Sequence, residues 1–165
     1  SHLIEDEAFA VLLADDLIFS EESCLQQLIN IHKNSGLSVV GVNKVSKEDI
    51  SKYGVIKPSV EDRNIYVNDI VEKPSIENAP SDLAVVGRYI LDSSIFGYLK
   101  RVSEDKSNEI QLTDAIKLML EEKKVLACKY LGKKFDCGSK VGYVEATLFK
   151  ALKDETMKEM LKKYL

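Results

Sequence analysis

Phe9-Ala10-Val11-Leu12-Leu13-Ala14-Asp15-Asp16-Leu17-Ile18-Phe19 is the stretch on which the reading of this chain turns. An uncharged apolar run stops at two adjacent carboxylates, and an apolar triplet follows. A continuous run of this kind is the pattern of a strand covered on both faces, as in a parallel sheet. Acids at its C-terminal end would then lie where open α/β sheets place their ligands. The plainer alternative is that Asp15 and Asp16 only begin a turn, a position that aspartate favours.

The segments on either side decide the fold class. Ser20 is the expected N-cap of a helix in which Cys24, Leu25, Leu28, Ile29 and His32 recur at helical spacing and which Gly36 ends. Glu21 and Glu22 suit the positive end of that helix. Residues 37–42 form a second near-continuous apolar strand. Strand, helix and strand in this order predict a βαβ unit with parallel strands and a right-handed crossover. Further β-type runs cover 53–58, 65–74 and 83–91, with a loop over 75–82. Helical spacing returns over 95–102 and at Leu112, Ala115, Ile116 and Met119, and 125–130 reads as a strand. Ser139 caps a helix carrying Val141, Val144, Leu148 and Leu152. Met157, Met160, Leu161 and Tyr164 mark a last amphipathic helix, whose apolar stripe is either core or a subunit contact. The expectation is one α/β domain over residues 1–165, with a mixed sheet flanked by helices.

Composition removes several function classes. The 165 residues are 45% hydrophobic and 30% charged, which suits a globular chain with a real core and not a disordered one. The net charge of −4, with no basic block, argues against nucleic acid as a partner. No apolar stretch is long enough to span a bilayer, so no membrane partner is expected, and Glu5, Asp6 and Glu7 do not fit a secretory signal. Cys24, Cys128 and Cys137 are an odd set without CxxC spacing, which points to reduced thiols and a cytoplasmic setting. There is no GxG pair and no GxxxxGK, and only His2 and His32 are present. Neither a dinucleotide loop, a P-loop nor a histidine-based nucleophile triad is therefore expected.

Four places hold residues suited to chemistry. Asp15 and Asp136, the latter in Lys134-Phe135-Asp136-Cys137-Gly138-Ser139, are either a turn acid and a helix-start acid or two carboxylates sharing a hard cation such as Mg²⁺. Glu72-Lys73-Pro74 is either a surface ion pair or a strand end at a site, where Glu72 accepts from sugar hydroxyls and Lys73 meets a phosphate. Pro74 is expected to hold Lys73 extended. Gly54 and Gly87 interrupt strand patterns, as bulges or as places where a ligand meets bare backbone. Asn108-Glu109-Ile110-Gln111-Leu112-Thr113-Asp114 crowds polar groups around a helix start, mostly as caps, with Glu109 or Gln111 within reach of a cleft.

Six strings stand in one order along the chain: Phe9 to Ile18, Tyr53-Gly54-Val55-Ile56, Ile70-Val71-Glu72-Lys73-Pro74, Ala84-Val85-Val86-Gly87-Arg88-Tyr89-Ile90-Leu91, Asn108 to Ile116, and Phe135 to Ala146. Together they resemble the bacterial UTP–glucose-1-phosphate uridylyltransferases, or UDP-glucose pyrophosphorylases. The resemblance implies a Rossmann-like nucleotidyltransferase mixed sheet with a sugar-binding portion. It implies a reaction of UTP with glucose 1-phosphate to give UDP-glucose and pyrophosphate, with Mg²⁺ as cofactor. Asp15 and Asp136 would hold the metal, and Asp16 would be a bystander. Gly54 would offer backbone to the sugar, Glu72 would bind glucose hydroxyls, Lys73 would meet the phosphate, and Val86 and Gly87 would line the sugar pocket. Asp15, Lys73 and Asp136 would then be the catalytic set. Family members open with a glycine-rich nucleotide-binding segment that this sequence does not contain. The expectation is accordingly a C-terminal portion with a sheet incomplete at its N-terminal side, little or no activity alone, and an apolar edge that favours a homo-oligomer. The alternative is a non-catalytic module that binds a sugar nucleotide or self-associates.

Overall fold

Strands and helices are interspersed through the computed structural model, which describes residue 4, residues 6–102 and residues 109–164. In chain order they are β1 (Phe9–Leu12), β2 (Asp16–Phe19), α1 (Cys24–Ser35), β3 (Ser38–Lys44), β4 (Gly54–Glu61), β5 (Asn64–Glu72), β6 (Leu83–Leu91), α2 (Ile95–Leu99), α3 (Leu112–Leu120), β7 (Val125–Lys129), β8 (Lys133–Asp136), α4 (Lys140–Ala151) and α5 (Glu155–Leu161). Short 3₁₀ turns occupy Lys47–Lys52 and Ile76–Asn78. The main sheet runs β1-β6-β3-β7-β5-β4, and β2 pairs with β8 in a separate ribbon. Among the described residues only β3 and β7 are parallel neighbours, and every other pair is antiparallel. The mixed α/β sheet is as expected from the sequence. No helix among the described residues is long and apolar enough to cross a membrane.

The period-two alternation of the strands builds two cores. Val40, Val42, Val85 and Ala127 face α2 and α3, with Ile116 and Met119 packed against them. Val39, Val86, Ile90 and Leu126 face α1 on the other side, around Leu28 and Cys24. Side chains buried this deeply stabilise by about 1.5–3 kcal/mol each, so β3 and β6 are the strands the sheet depends on most. The β2–β8 ribbon is fastened differently. Phe19, Phe135 and Phe149 pack against one another with ring centroids 5.1–5.8 Å apart, joining the ribbon to α4.

Several local expectations are corrected. β1 is not covered on both faces: Phe9 and Val11 are half-buried while Ala10 and Leu12 are exposed. It pairs only with β6 among the described residues and lies at the sheet's edge. The βαβ unit is split, because β6 inserts between β1 and β3 and runs antiparallel to both. Ser23, not Ser20, caps α1, its Oγ accepting from the Gln26 amide at 3.1 Å. Gly36 does end that helix, at φ 70°. Ser139 caps α4 as expected, accepting from the Gly142 amide at 3.0 Å. Val141, Val144, Leu148 and Leu152, however, are exposed, and α4 buries Gly142, Ala146 and Ala151 instead. Met157 and Met160 on α5 are exposed as well.

Candidate functional site

The turn between β1 and β2 carries Asp15, and the loop after β8 carries Cys137 and Gly138. The antiparallel register of β2 with β8 sets Asp16 opposite Asp136. The Cys137 amide donates to the Asp15 carbonyl at 2.7 Å, which locks the turn to the loop. Asp136 Oδ1 accepts from the Gly138 amide at 3.0 Å. A Cβ on Gly138 would stand 3.1 Å from Asp15 Oδ2 and 3.1 Å from Asp136 Oδ1. Two carboxylates far apart in sequence thus face one point, and the missing side chain of Gly138 leaves that point open. No group of three or more His, Cys, Asp or Glu side chains suited to a metal exists among the described residues. The pair offers two oxygen donors, which is the number of carboxylates Mg²⁺ commonly takes from protein when phosphates and water fill the rest.

Beside this acidic corner lies a cleft of about 280 Å³, whose lining includes Leu13, Asp16, Tyr53, Gly54, Glu72 and Gly87. A Cβ on Gly54 would stand 3.0 Å from Thr113 Oγ1 and 3.1 Å from Glu72 Oε2, so this glycine keeps two polar groups accessible. Gly87 has φ +63°, and a Cβ there would meet Leu13 at 3.0 Å and run into the Asp16 carboxylate. It stands in a bulge: Val40 pairs with Tyr89 but Val42 with Val85, so β6 spends extra residues against β3. Val86 does not reach the cleft with its side chain, which is buried against Leu28 and Val39; Val85 lines the cleft instead. Strand alternation is the reason.

Lys73 corrects a second expectation. Its φ is +42°, not extended, and its amide donates to the Tyr53 carbonyl at 3.0 Å. That bend brings Lys73 Nζ to 3.8 Å from Glu72 Oε1, so two consecutive side chains converge instead of pointing to opposite faces. Left-handed backbone at a bulky residue costs about 1–3 kcal/mol and concentrates at functional sites. Gln111 and Thr113 line the cleft and Gln111 bonds Glu109, while Asn108 falls outside the described residues.

Asp16 has a partner of its own on the ribbon. Its Oδ1 lies 2.7 Å from Lys134 Nζ, with both side chains largely buried. The Lys134 ammonium also stands 4.2 Å from the centre of the Tyr53 ring. Burial raises the Asp16 carboxyl above its ordinary value, an effect that the Lys134 hydrogen bond and charge oppose. Burial would lower Lys134, but the bond to Asp16, its charge and Tyr53 hold the ammonium above the usual lysine value. Tyr89, also on the cleft, is pushed up by burial and by the Glu72 and Asp16 charges. The sequence reading missed Lys134, although it sits two residues before Asp136 on β8 and so shares its face. It also missed Arg88, which follows Gly87 on β6.

Residues 1–153 match the model of the family described as nucleotidyl transferase. The chain is 46% identical over 165 residues to the UTP–glucose-1-phosphate uridylyltransferase YngB of Bacillus subtilis (strain 168), covering 99% of this chain and 56% of that protein. It is 45% identical over 163 residues to the UTP–glucose-1-phosphate uridylyltransferase of Staphylococcus haemolyticus, covering 98% and 57%. Among solved structures it resembles a UDP-glucose pyrophosphorylase complexed with UDP-glucose, with a TM-score of 0.87, 42% identity, and coverage of 93% of this chain and 59% of that one. A UTP-bound enzyme of the same kind from Acinetobacter baumannii matches with a TM-score of 0.84 and 33% identity, over 99% and 57%. The chain thus spans a little over half the length of the curated relatives it matches.

Proposed function

Because the chain belongs to the nucleotidyl transferase family, we propose that it forms the sugar-phosphate and metal side of a uridylyl transfer, in which UTP and glucose 1-phosphate yield UDP-glucose and pyrophosphate. The observation that carries this reading is the meeting of Asp15 and Asp136 at Gly138, beside a cleft that holds Glu72. Relatives of the same length of match bear the names of that reaction. Asp15 and Asp136 would hold Mg²⁺, which when bound supplies charge neutralisation at phosphate oxygens.

The remaining work falls to the chain's own side chains. Glu72 accepts from the glucose hydroxyls, and Gly54 lets the sugar approach the strand between Glu72 and Thr113. Gly87 and Val85 form the floor of the cleft, and Val86 contributes from the opposite face as support. Lys73 does not line the cleft but, more than half exposed and 3.8 Å from Glu72, would meet the phosphate of the sugar as a point charge. The sugar phosphate oxygen then attacks the α-phosphorus of UTP in line and pyrophosphate departs, so positioning and charge supply most of the acceleration. A cytoplasmic setting within carbohydrate metabolism suits the free thiols, of which Cys24 is pushed by burial up to about 11 and Cys128 up to about 12, both inert. The open side of β1, with Leu12 and Leu13 exposed, is where copies would associate into a homo-oligomer.

Calorimetry with glucose 1-phosphate and UDP-glucose, run beside a pyrophosphate-release assay, tests the proposal. Saturable heat that Glu72→Gln weakens supports the sugar side, and absence of heat from either ligand sinks it. Heat without turnover selects the second reading, a sugar-nucleotide-binding module. Association through β1 predicts that Leu12→Lys lowers the mass seen by light scattering.

A further inference from the structure

We infer that Arg88 is a positioning residue: it fixes the turn that carries Asp15 and so sets the divalent-cation affinity of the Asp15–Asp136 pair. This rests on the metal reading proposed above.

The turn from Leu13 to Asp16 joins the edge of the main sheet to the β2–β8 ribbon, and its carbonyls fall between two ladders. Such groups need partners from elsewhere. Arg88 supplies them from β6. Its Nη1 donates to the Leu13 carbonyl at 2.9 Å and to the Gly87 carbonyl at 3.0 Å. Its Nη2 donates to the Asp16 carbonyl. One planar guanidinium therefore holds the carbonyls at both ends of the turn, with Asp15 between them. The Leu13 amide adds a bond to the Gly87 carbonyl at 2.9 Å.

The seat of Arg88 is built for this. The bulge at Gly87 turns β6 so that Arg88 reaches back over the turn. Gly41 on β3 leaves room, since a Cβ there would stand 3.2 Å from Arg88 Cβ and 3.1 Å from its carbonyl oxygen. All three acceptors of the guanidinium among the described residues are backbone carbonyls, so it takes up neither carboxylate of the pair. The fork matters as much as the charge: a lysine ammonium cannot serve separated carbonyls in one plane. On the far side the Cys137 amide grips the Asp15 carbonyl at 2.7 Å. Asp15 is thus clamped between β6 and the loop bearing Asp136. With only two carboxylates facing the point beside Gly138, displacement of either is not compensated by a third donor among the described residues.

The test is Mn²⁺ binding to the chain, read by electron paramagnetic resonance of the free ion, together with amide hydrogen exchange. Arg88→Lys should weaken Mn²⁺ binding by roughly ten- to hundredfold, the usual effect of losing a group that orients a metal ligand. Exchange should speed up at Leu13 and Cys137 while Leu28 and Val39 in the core keep their protection. Guanidinium ion added to Arg88→Ala should restore part of the affinity. Wild-type affinity in Arg88→Lys, or unchanged exchange at Cys137, overturns the inference while leaving the metal reading intact. A wild-type chain that binds no Mn²⁺, with Asp15→Asn behaving alike, overturns the metal reading and the inference with it. Loss of the fold in both Arg88→Lys and Arg88→Gln would assign Arg88 to the whole sheet and also overturn it.

Discussion

The main sheet and the β2–β8 ribbon hold their candidate site residues by opposite means. Gly54, Glu72 and Gly87 stand on strands whose neighbours are buried on both faces, from Val39 and Val86 on one side to Val40 and Ile56 on the other. Many interchangeable apolar contacts fix them. Asp15, Asp16 and Asp136 hang on a few single ties: the Asp16–Lys134 pair, the Cys137 amide, the Arg88 fork and three phenylalanines. The helix behind the ribbon leaves Val141, Val144, Leu148 and Leu152 exposed. A site fixed by apolar packing loses stability gradually as contacts are removed. One fixed by single polar ties loses its geometry when a tie is cut.

Cutting the strongest tie should give the largest effect. Lys134→Met leaves the Asp16 carboxylate buried without its cation, which should cost about 3–5 kcal/mol in urea denaturation at neutral pH. Burial already raises Asp16 in the folded chain, and removal of Lys134 raises it further. A raised carboxyl favours folding below its unfolded value and loses that contribution as pH rises through the folded value. The deficit of Lys134→Met should therefore shrink as pH falls toward the ordinary carboxyl range. Adding Asp16→Leu should restore most of the lost stability. A deficit independent of pH would mean that Lys134 acts through its packing on Tyr53 alone.

Striking the main sheet should require a backbone change to reach a comparable size. Gly87→Ala forces a Cβ at φ +63° against Leu13 and the Asp16 carboxylate, at a cost of about 2–3 kcal/mol. Because Gly87 and that carboxylate both line the cleft, the same variant should also weaken sugar binding in calorimetry. A variant that lost stability but bound normally would separate the two regions more sharply than proposed.

How far the sequence carried this comparison depends on the range of each feature. The main sheet was legible as a mixed α/β sheet because strand and helix periods are local. Its order was not, since β6 enters between β1 and β3 from far along the chain. The apolar run of β1 suggested two covered faces, yet apolar character does not say what lies opposite, and Leu12 is exposed. Asp15 and Asp136 were each legible as acids at element ends; their meeting needs the β2–β8 register. The pairing of Asp16 was not legible because nothing in two adjacent aspartates tells which one a distant lysine will face. Lys73 departs from the pre-proline rule where its amide bonds to the Tyr53 carbonyl, a contact that joins the residue before β4 to the residue after β5.

A smaller effect should come from chemistry without packing. Glu72 is only partly buried, and Glu72→Gln keeps its shape while removing its charge. It should weaken glucose 1-phosphate binding by about tenfold, near 1.4 kcal/mol, with the melting temperature unchanged. A large loss of stability would show Glu72 to be structural.

The smallest effect belongs to an ion pair on the main sheet, where single ties count for little. Asp92, just past β6, accepts from Lys123 Nζ at 2.7 Å and from the Ser94 amide at 3.0 Å. The Lys123 bond, then Ser94, holds its carboxyl down at about 2. A depressed carboxyl stabilises the fold above its unfolded value and loses that contribution as pH falls through the folded one. The window therefore runs from the ordinary aspartate value of 3.8 down to about 2. Both side chains are more than two-fifths exposed, so solvent screening keeps the contribution below about 1 kcal/mol. Asp92→Asn should lower stability at neutral pH by less than about 1 kcal/mol, most clearly at low salt, and the deficit should close as pH falls from 3.8 to about 2. If Asp92→Asn cost as much as Lys134→Met, the main sheet too would hang on single ties, and the contrast between the two regions would fail.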